Sequence, residues 1–235
     1  MDRRTLIFGL GSLAAILPGS GYAQSLRSEV ASWRIWKDVP AIAVVSTDND
    51  YRLPAVREAV DFWNAELSNL GTPFRFGTLT HVVEDDPPGG PPYLRDSLAA
   101  TTLTRSAKIL SRMAPMGDVI VALSSAADFT PFTQARPDLQ RVIVAIPDLP
   151  AYARVLRVLV RNIVAHELGH AIGLDHNDDP NALMCGARCN SFRLLSILPL
   201  TESDRARLLE MYPLNWQPKP FRKWITDPPY RPTFG

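Results

Sequence analysis

The residues best equipped for chemistry lie in one run, His166-Glu167-Leu168-Gly169-His170-Ala171-Ile172-Gly173-Leu174-Asp175-His176. On a helix, side chains four residues apart stand one above the other, with about 6 Å of axial rise between them, so the imidazoles of His166 and His170 can converge on one ion. Glu167, next to His166, approaches the same ion from the side, where a carboxylate reaches a metal-bound water rather than the metal. His176 lies too far along for the helix to present it as a third ligand. Gly173 removes the obstacle, because a residue without Cβ can take positive φ, end the helix and turn the chain back. The chain has four histidines, and three occupy these positions; a lone histidine is more often structural, but this arrangement predicts a metal site. Three neutral imidazoles and a water suit zinc, whereas iron held by two histidines would want a carboxylate in the third place. Asp175, beside His176, is either a partner of that ligand or a solvated turn residue.

These residues need elements to hold them. Residues 41–46 (AIAVVS) read as a buried strand. Between 53 and 70, apolar Val56, Val60, Trp63, Leu67 and Leu70 fall at spacings of four and three, one face of a helix. Pro54 is tolerated in its first turn. Residues 74–79 read as a second strand, making a strand-helix-strand unit of parallel type. The Pro/Gly-rich stretch 85–92 is a loop, and 94–112 is ambiguous between helix and coil. Residues 119–123 and 142–146 are β-branched strands. The segment holding Phe129, Pro131, Phe132 and Pro137 reads as a loop that covers the sheet edge or lines a cleft. A long, largely buried helix is expected over 151–172, with Arg154, Arg157 and Arg161 as its solvated stripe and Asn162 in a buried hydrogen bond. Thr201 and Asp204 open a last helix that stops at Pro213.

With 25 basic and 24 acidic residues among 235, the chain has no cationic excess to displace counterions, so a nucleic-acid partner is not expected. The start reads as an address. Arg3-Arg4, an apolar stretch from Leu6 to Leu17, a Pro/Gly break and Gly21-Tyr22-Ala23 describe a signal peptide over 1–23, by the general secretory or the twin-arginine route. It is too short for a confident membrane span, so no stable insertion is expected after its removal. The mature chain, with 23 residues of each sign, would be an exported, periplasmic or secreted monomer. Residues 24–213 are expected to form its catalytic domain and 214–235 a Pro-rich tail.

The eleven-residue run resembles the signature of the metzincin zinc metallopeptidases, and its Gly-Leu-Asp-His ending is most similar to the matrixin-type branch. Asp179-Pro180-Asn181-Ala182-Leu183-Met184 resembles the segment leading into that family's Met-turn, and the stretches Pro199–Asp204 and Leu209–Tyr212 resemble its C-terminal helix. The resemblance covers about residues 160–213. It implies an α/β (α+β) fold: a twisted, mostly parallel sheet with an antiparallel edge strand, a long helix before the active site, the active-site helix, the Met-turn and a C-terminal helix. It also implies zinc on His166, His170 and His176, Glu167 as catalytic base, and Met184 as an apolar floor beneath the histidines. The chain departs from the family in several respects. Only His81 lies outside the signature, so a second, structural zinc is not supported and His81 is expected at the surface. Calcium stays open, since oxygen ligands are abundant and carry no diagnostic spacing. No cysteine lies between Ala23 and the first strand, so latency through a propeptide cysteine is not expected.

After Met184 the chain has Cys185-Gly186-Ala187-Arg188-Cys189 in place of the aromatic residue and proline common in the family. In an oxidising compartment the two cysteines would close a tight loop beside the metal; a free Cys185 thiolate as fourth ligand is the alternative. The expected function is a zinc-dependent endopeptidase acting on peptides or proteins, with Glu167 assisting attack of zinc-bound water. Substrate is expected to add to the edge of one of the strands before the active helix, with the 142–146 run as the candidate. The alternatives are a catalytically silent, zinc-stabilised binding module and a cell-wall amide hydrolase.

Overall fold

A computed structural model describes residues 35–83, 117–125, 127, 130–136, 141–150, 156–186, 189 and 196–218. The expected signal peptide, the 85–92 loop, the 94–112 segment and most of the tail lie outside the described residues. The elements are β1 (Ile42–Ser46), α1 (Leu53–Asn69), β2 (Leu79–Val83), β3 (Val119–Leu123), β4 (Phe132–Arg136), β5 (Arg141–Ile146), α2 (Arg157–Ala171) and α3 (Glu202–Met211). The strands form one sheet in the order β2-β1-β3-β5-β4, parallel except for β4, which pairs antiparallel with β5 at the edge. Strands β1 and β3 are buried along their whole length, which is why their sequences are unbroken apolar runs rather than alternating ones.

Helix α1 buries Val56, Val60, Trp63 and Leu67 as its spacing predicts, with Pro54 in its first turn. Just before it, Arg52 is buried; its Nη1 donates to the carbonyls of Ser124, Ile146 and Pro147 at 2.7–3.0 Å, and its charge is met by Asp50 at 2.6 Å. One guanidinium thus ties the helix entry to the ends of β3 and β5. Helix α1 also reaches α2: the Trp63 indole N–H donates to the Ala165 carbonyl at 2.8 Å from a fully buried position.

The structure differs from what the sequence predicts in four places. Phe74 and Phe76 are buried with the two-residue period of a strand, yet the strand begins only at Leu79. The backbone of Phe76 is held instead by the Asn64 side chain, which accepts from its N–H at 2.8 Å and donates to its carbonyl at 3.2 Å. The segment read as a loop around Phe132 is the edge strand β4: prolines at 131 and 137 bracket it without interrupting its ladder. Helix α2 begins at Arg157, after Leu156 in a non-helical conformation; residues 151–155, Arg154 among them, lie outside the described residues. Arg161 is not solvated. It is 4% exposed, with its guanidinium 4.1 Å from the centre of the Phe62 ring and bonded to Asn162 Oδ1 at 2.7 Å. Arg157 does face solvent, where it pairs with Glu58.

Below the sheet, Phe74 stacks on Tyr212 at 3.8 Å between ring centres, and Trp216 meets Phe74 edge-on. Tyr212 donates its hydroxyl to the Ile172 carbonyl at 3.0 Å, and Trp36 donates its indole N–H to the Ala171 carbonyl at 2.9 Å. Two aromatic donors therefore satisfy carbonyls at the end of α2, where helical partners run out.

Candidate active site

Helix α2 ends at Ala171 and is turned at Gly173, with φ of +100°. The Gly173 N–H donates to the His170 carbonyl and the Leu174 N–H to the Gly169 carbonyl, both at 3.0 Å, the bonding pattern of a Schellman turn. That turn sends the chain back under the helix and delivers the third histidine. The Nε2 atoms of His166, His170 and His176 lie 3.1 Å from one another, with His176 the most exposed of the three.

The ring orientations show what this triangle is for. His166 Nδ1 lies 2.7 Å from the Leu183 carbonyl, and His170 Nδ1 lies 2.8 Å from the Leu174 carbonyl. A carbonyl only accepts, so both Nδ1 atoms carry the proton and both Nε2 atoms present lone pairs. Lone pairs brought together at 3.1 Å repel unless a cation lies between them. The centre of the triangle is about 1.8 Å from each nitrogen, close to the zinc-imidazole distance of about 2.0–2.1 Å, so the three Nε2 atoms would together hold an ion of that size. The three residues can hold zinc, and three protein ligands leave a fourth tetrahedral position for water or substrate.

Glu167 is 6% exposed and accepts a hydrogen bond at Oε2 from Thr133 Oγ1 at 2.7 Å. Burial pushes its carboxyl above the usual carboxylate range, against the opposing pull of His166 and of the Thr133 hydroxyl. Met184 is fully buried, and Gly169 makes room for it: a Cβ built there would lie 2.5 Å from the Met184 sulfur and 2.9 Å from the Trp63 ring. Cys185 and Cys189 form a disulfide, with Cα atoms 5.6 Å apart, so neither serves as a thiolate ligand. Asp175 is exposed. Asn162 is buried; its Oδ1 accepts from Arg161 in a buried hydrogen bond at 2.7 Å, and its Nδ2 donates to the Ser196 carbonyl at 2.7 Å, tying the chain beyond the disulfide to α2. His81 is half-buried on β2, its Nε2 2.8 Å from Ser46 Oγ, away from the histidine cluster.

Several supporting residues escaped the sequence reading. Thr133 lies in β4, whose flanking prolines give the sequence the look of a loop. Gly186 backs the third histidine, since a Cβ there would come within 2.9 Å of His176 Cβ and 3.0 Å of its Cγ. Asn177 exchanges backbone hydrogen bonds with Met184 and Gly186 at 2.8 and 3.1 Å, and its amide donates to Asp204 Oδ2 at 2.9 Å. Asp204 also completes the capping box of α3 with Thr201, so the residue following His176 is moored to a helix N-terminus. A glycine inside a helix costs about 1 kcal/mol against alanine, and Gly169 could have been read as a close-contact position on that ground.

Residues 128–213, which contain the cluster, match the matrixin family. That match and the histidine cluster support a metzincin-like zinc metallopeptidase. Among solved structures, archaemetzincin from Methanopyrus kandleri is 18% identical, over 74% of this chain and 96% of that one, with a TM-score of 0.40. A zinc-dependent peptidase from Methanocorpusculum labreanum is also 18% identical, over 71% and 99%, with a TM-score of 0.36. Metalloproteinase-II from Bacteroides fragilis is 13% identical, over 73% of this chain and 52% of that one, with a TM-score of 0.42. The β5 strand, expected to offer its edge to substrate, has both edges filled by β3 and β4; the outer strand on this side of the sheet is β4.

Proposed function

We propose that the protein is an endopeptidase that hydrolyses peptide bonds with His166, His170 and His176 as zinc ligands and Glu167 as general base. The observation that carries this reading is the triangle of imidazole nitrogens with a buried carboxylate on the adjacent residue. Zinc bound there would lower the pKa of a water and polarise the scissile carbonyl. Glu167 takes the proton of that water as it attacks and passes it to the departing amine. Its burial raises its proton affinity, which suits a group that must accept a proton and then release it. Substrate adds as a strand to the outer edge of β4, which is bonded to the active helix through Thr133.

Export is part of the same proposal: residues 1–23 as signal peptide, 24–213 as catalytic domain and 214–235 as tail. The Cys185–Cys189 disulfide fits an oxidising compartment. No helix among the described residues is long and apolar enough to cross a membrane. The mature protein is proposed to act as a monomer.

The test is Glu167→Gln. Turnover of a peptide library should fall by about 10²–10⁴-fold, the usual worth of a general base, with zinc content unchanged. Undiminished turnover would remove Glu167 from the base role. Full zinc with no cleavage by the native protein would favour the silent binding module, and cleavage of purified wall material in preference to peptides would favour the amide hydrolase.

A further inference from the structure

Edge strand β4 touches the active site at one chemically specific point. Thr133 Oγ1 lies 2.7 Å from Glu167 Oε2 and 2.8 Å from the Glu167 backbone carbonyl. A hydroxyl carries one hydrogen, and an ionised carboxylate is the stronger acceptor of the two, so with Glu167 charged the Thr133 proton goes to Oε2. This donor matters because the carboxylate is buried, where losing a hydrogen-bond partner is costly. It also matters sterically. Three rotatable bonds separate the Glu167 carboxylate from its backbone, and a bond to one oxygen selects among their rotamers. Thr133 itself is held by the ladder, where it pairs with Val144 of β5, so its position is set by the sheet rather than by the helix that carries Glu167.

We propose that Thr133 is a positioning residue for the general base. From the strand that receives substrate, its hydroxyl fixes Oε2 of Glu167 and leaves Oε1 to face the water. Substrate docking and base alignment then depend on the same strand, so a substrate that straightens β4 also holds the base in line. The inference rests on the peptidase reading given above.

The test compares Thr133→Val, which keeps the branched shape and removes the donor, with Thr133→Ser, which keeps the donor. In zinc-loaded protein with zinc content verified, Thr133→Val should lower kcat by about tenfold or more and leave KM within about twofold, the pattern of an interaction made in the transition state. Thr133→Ser should recover most of the lost kcat. A second readout needs neither zinc nor turnover. In the metal-free protein, Thr133→Val should lower the melting temperature by about 2–4 °C, and on a Glu167→Ala background by clearly less, because the contact is already gone. Unchanged kcat in an active protein, equal loss in the valine and serine variants, or additive melting shifts would each overturn the proposal. A native protein that cleaves no peptide would instead defeat the peptidase reading, and the melting cycle would still decide whether Thr133 and Glu167 are coupled.

Discussion

His166 and His170 ride on α2, a fifteen-residue helix packed against α1 and the sheet, with their spacing set by the helical repeat. His176 sits in the stretch from Gly173 to Leu200, which among its described residues has no helix or strand, only the isolated bridge between Asn177 and Cys185. The helical pair is positioned by generic backbone geometry and a buried apolar face. The third histidine is positioned by a short series of particular contacts: Gly173 turning the chain, Gly186 against the ring, Asn177 moored to Asp204, and a disulfide closing the loop. In the first region a damaged contact should cost fold stability; in the second it should cost zinc affinity while the fold stands.

The largest effects come from the ligands themselves. His170→Ala and His176→Ala should each weaken zinc by more than about a hundredfold, since one ligand of four carries roughly 3 kcal/mol of a structural-zinc binding energy near 10–16 kcal/mol. Competition with a chromogenic chelator measures this, and a His176→Ala protein that holds zinc as tightly as the native one would remove the loop from the site.

The two glycines sharpen the contrast. Gly186→Ala pushes directly on His176 Cβ, at the base of the side chain where it cannot swing aside, and should weaken zinc about tenfold with the melting point of the metal-free protein unmoved. Gly169→Ala drives a methyl into Met184 and into a Trp63 ring fixed by its bond to Ala165; after the gain in helix propensity, a net loss of about 1–2 kcal/mol in stability is expected by denaturant titration. If both variants changed the same quantity, the division between the regions would fail. The smallest effect is expected from reducing the Cys185–Cys189 bond: zinc should leave to a chelator faster, by less than Gly186→Ala causes, with the far-ultraviolet circular dichroism unaltered. A protein that unfolds on reduction would show that the loop supports the fold after all.

The same division explains what could be read in advance. The buried strands β1 and β3, the amphipathic face of α1, the α3 cap at Thr201 and Asp204 and the His166–His176 run are local patterns, each written in consecutive or regularly spaced residues. What escaped was non-local. Phe74 and Phe76 have a strand's alternation, but the backbone of Phe76 is bonded by an asparagine on α1 and the Phe74 N–H by the Thr72 hydroxyl. Arg161 looked solvated until Phe62 was seen to cover it. The β4 strand hid between two prolines, and with it Thr133, whose meaning depends on a contact 34 residues away. No period in the sequence marks Gly186 as the wall behind His176, because that relation exists only after the chain has turned at Gly173.

The central claim is that helix and loop deliver three imidazoles to one ion. The most direct measurement is anomalous diffraction at the zinc edge from crystals of the zinc-loaded protein. The account predicts a single peak about 2.0–2.1 Å from Nε2 of His166, His170 and His176 alike, with the remaining position taken by a non-protein ligand. A peak that leaves the His176 ring out of contact, with another residue in its place, would contradict it.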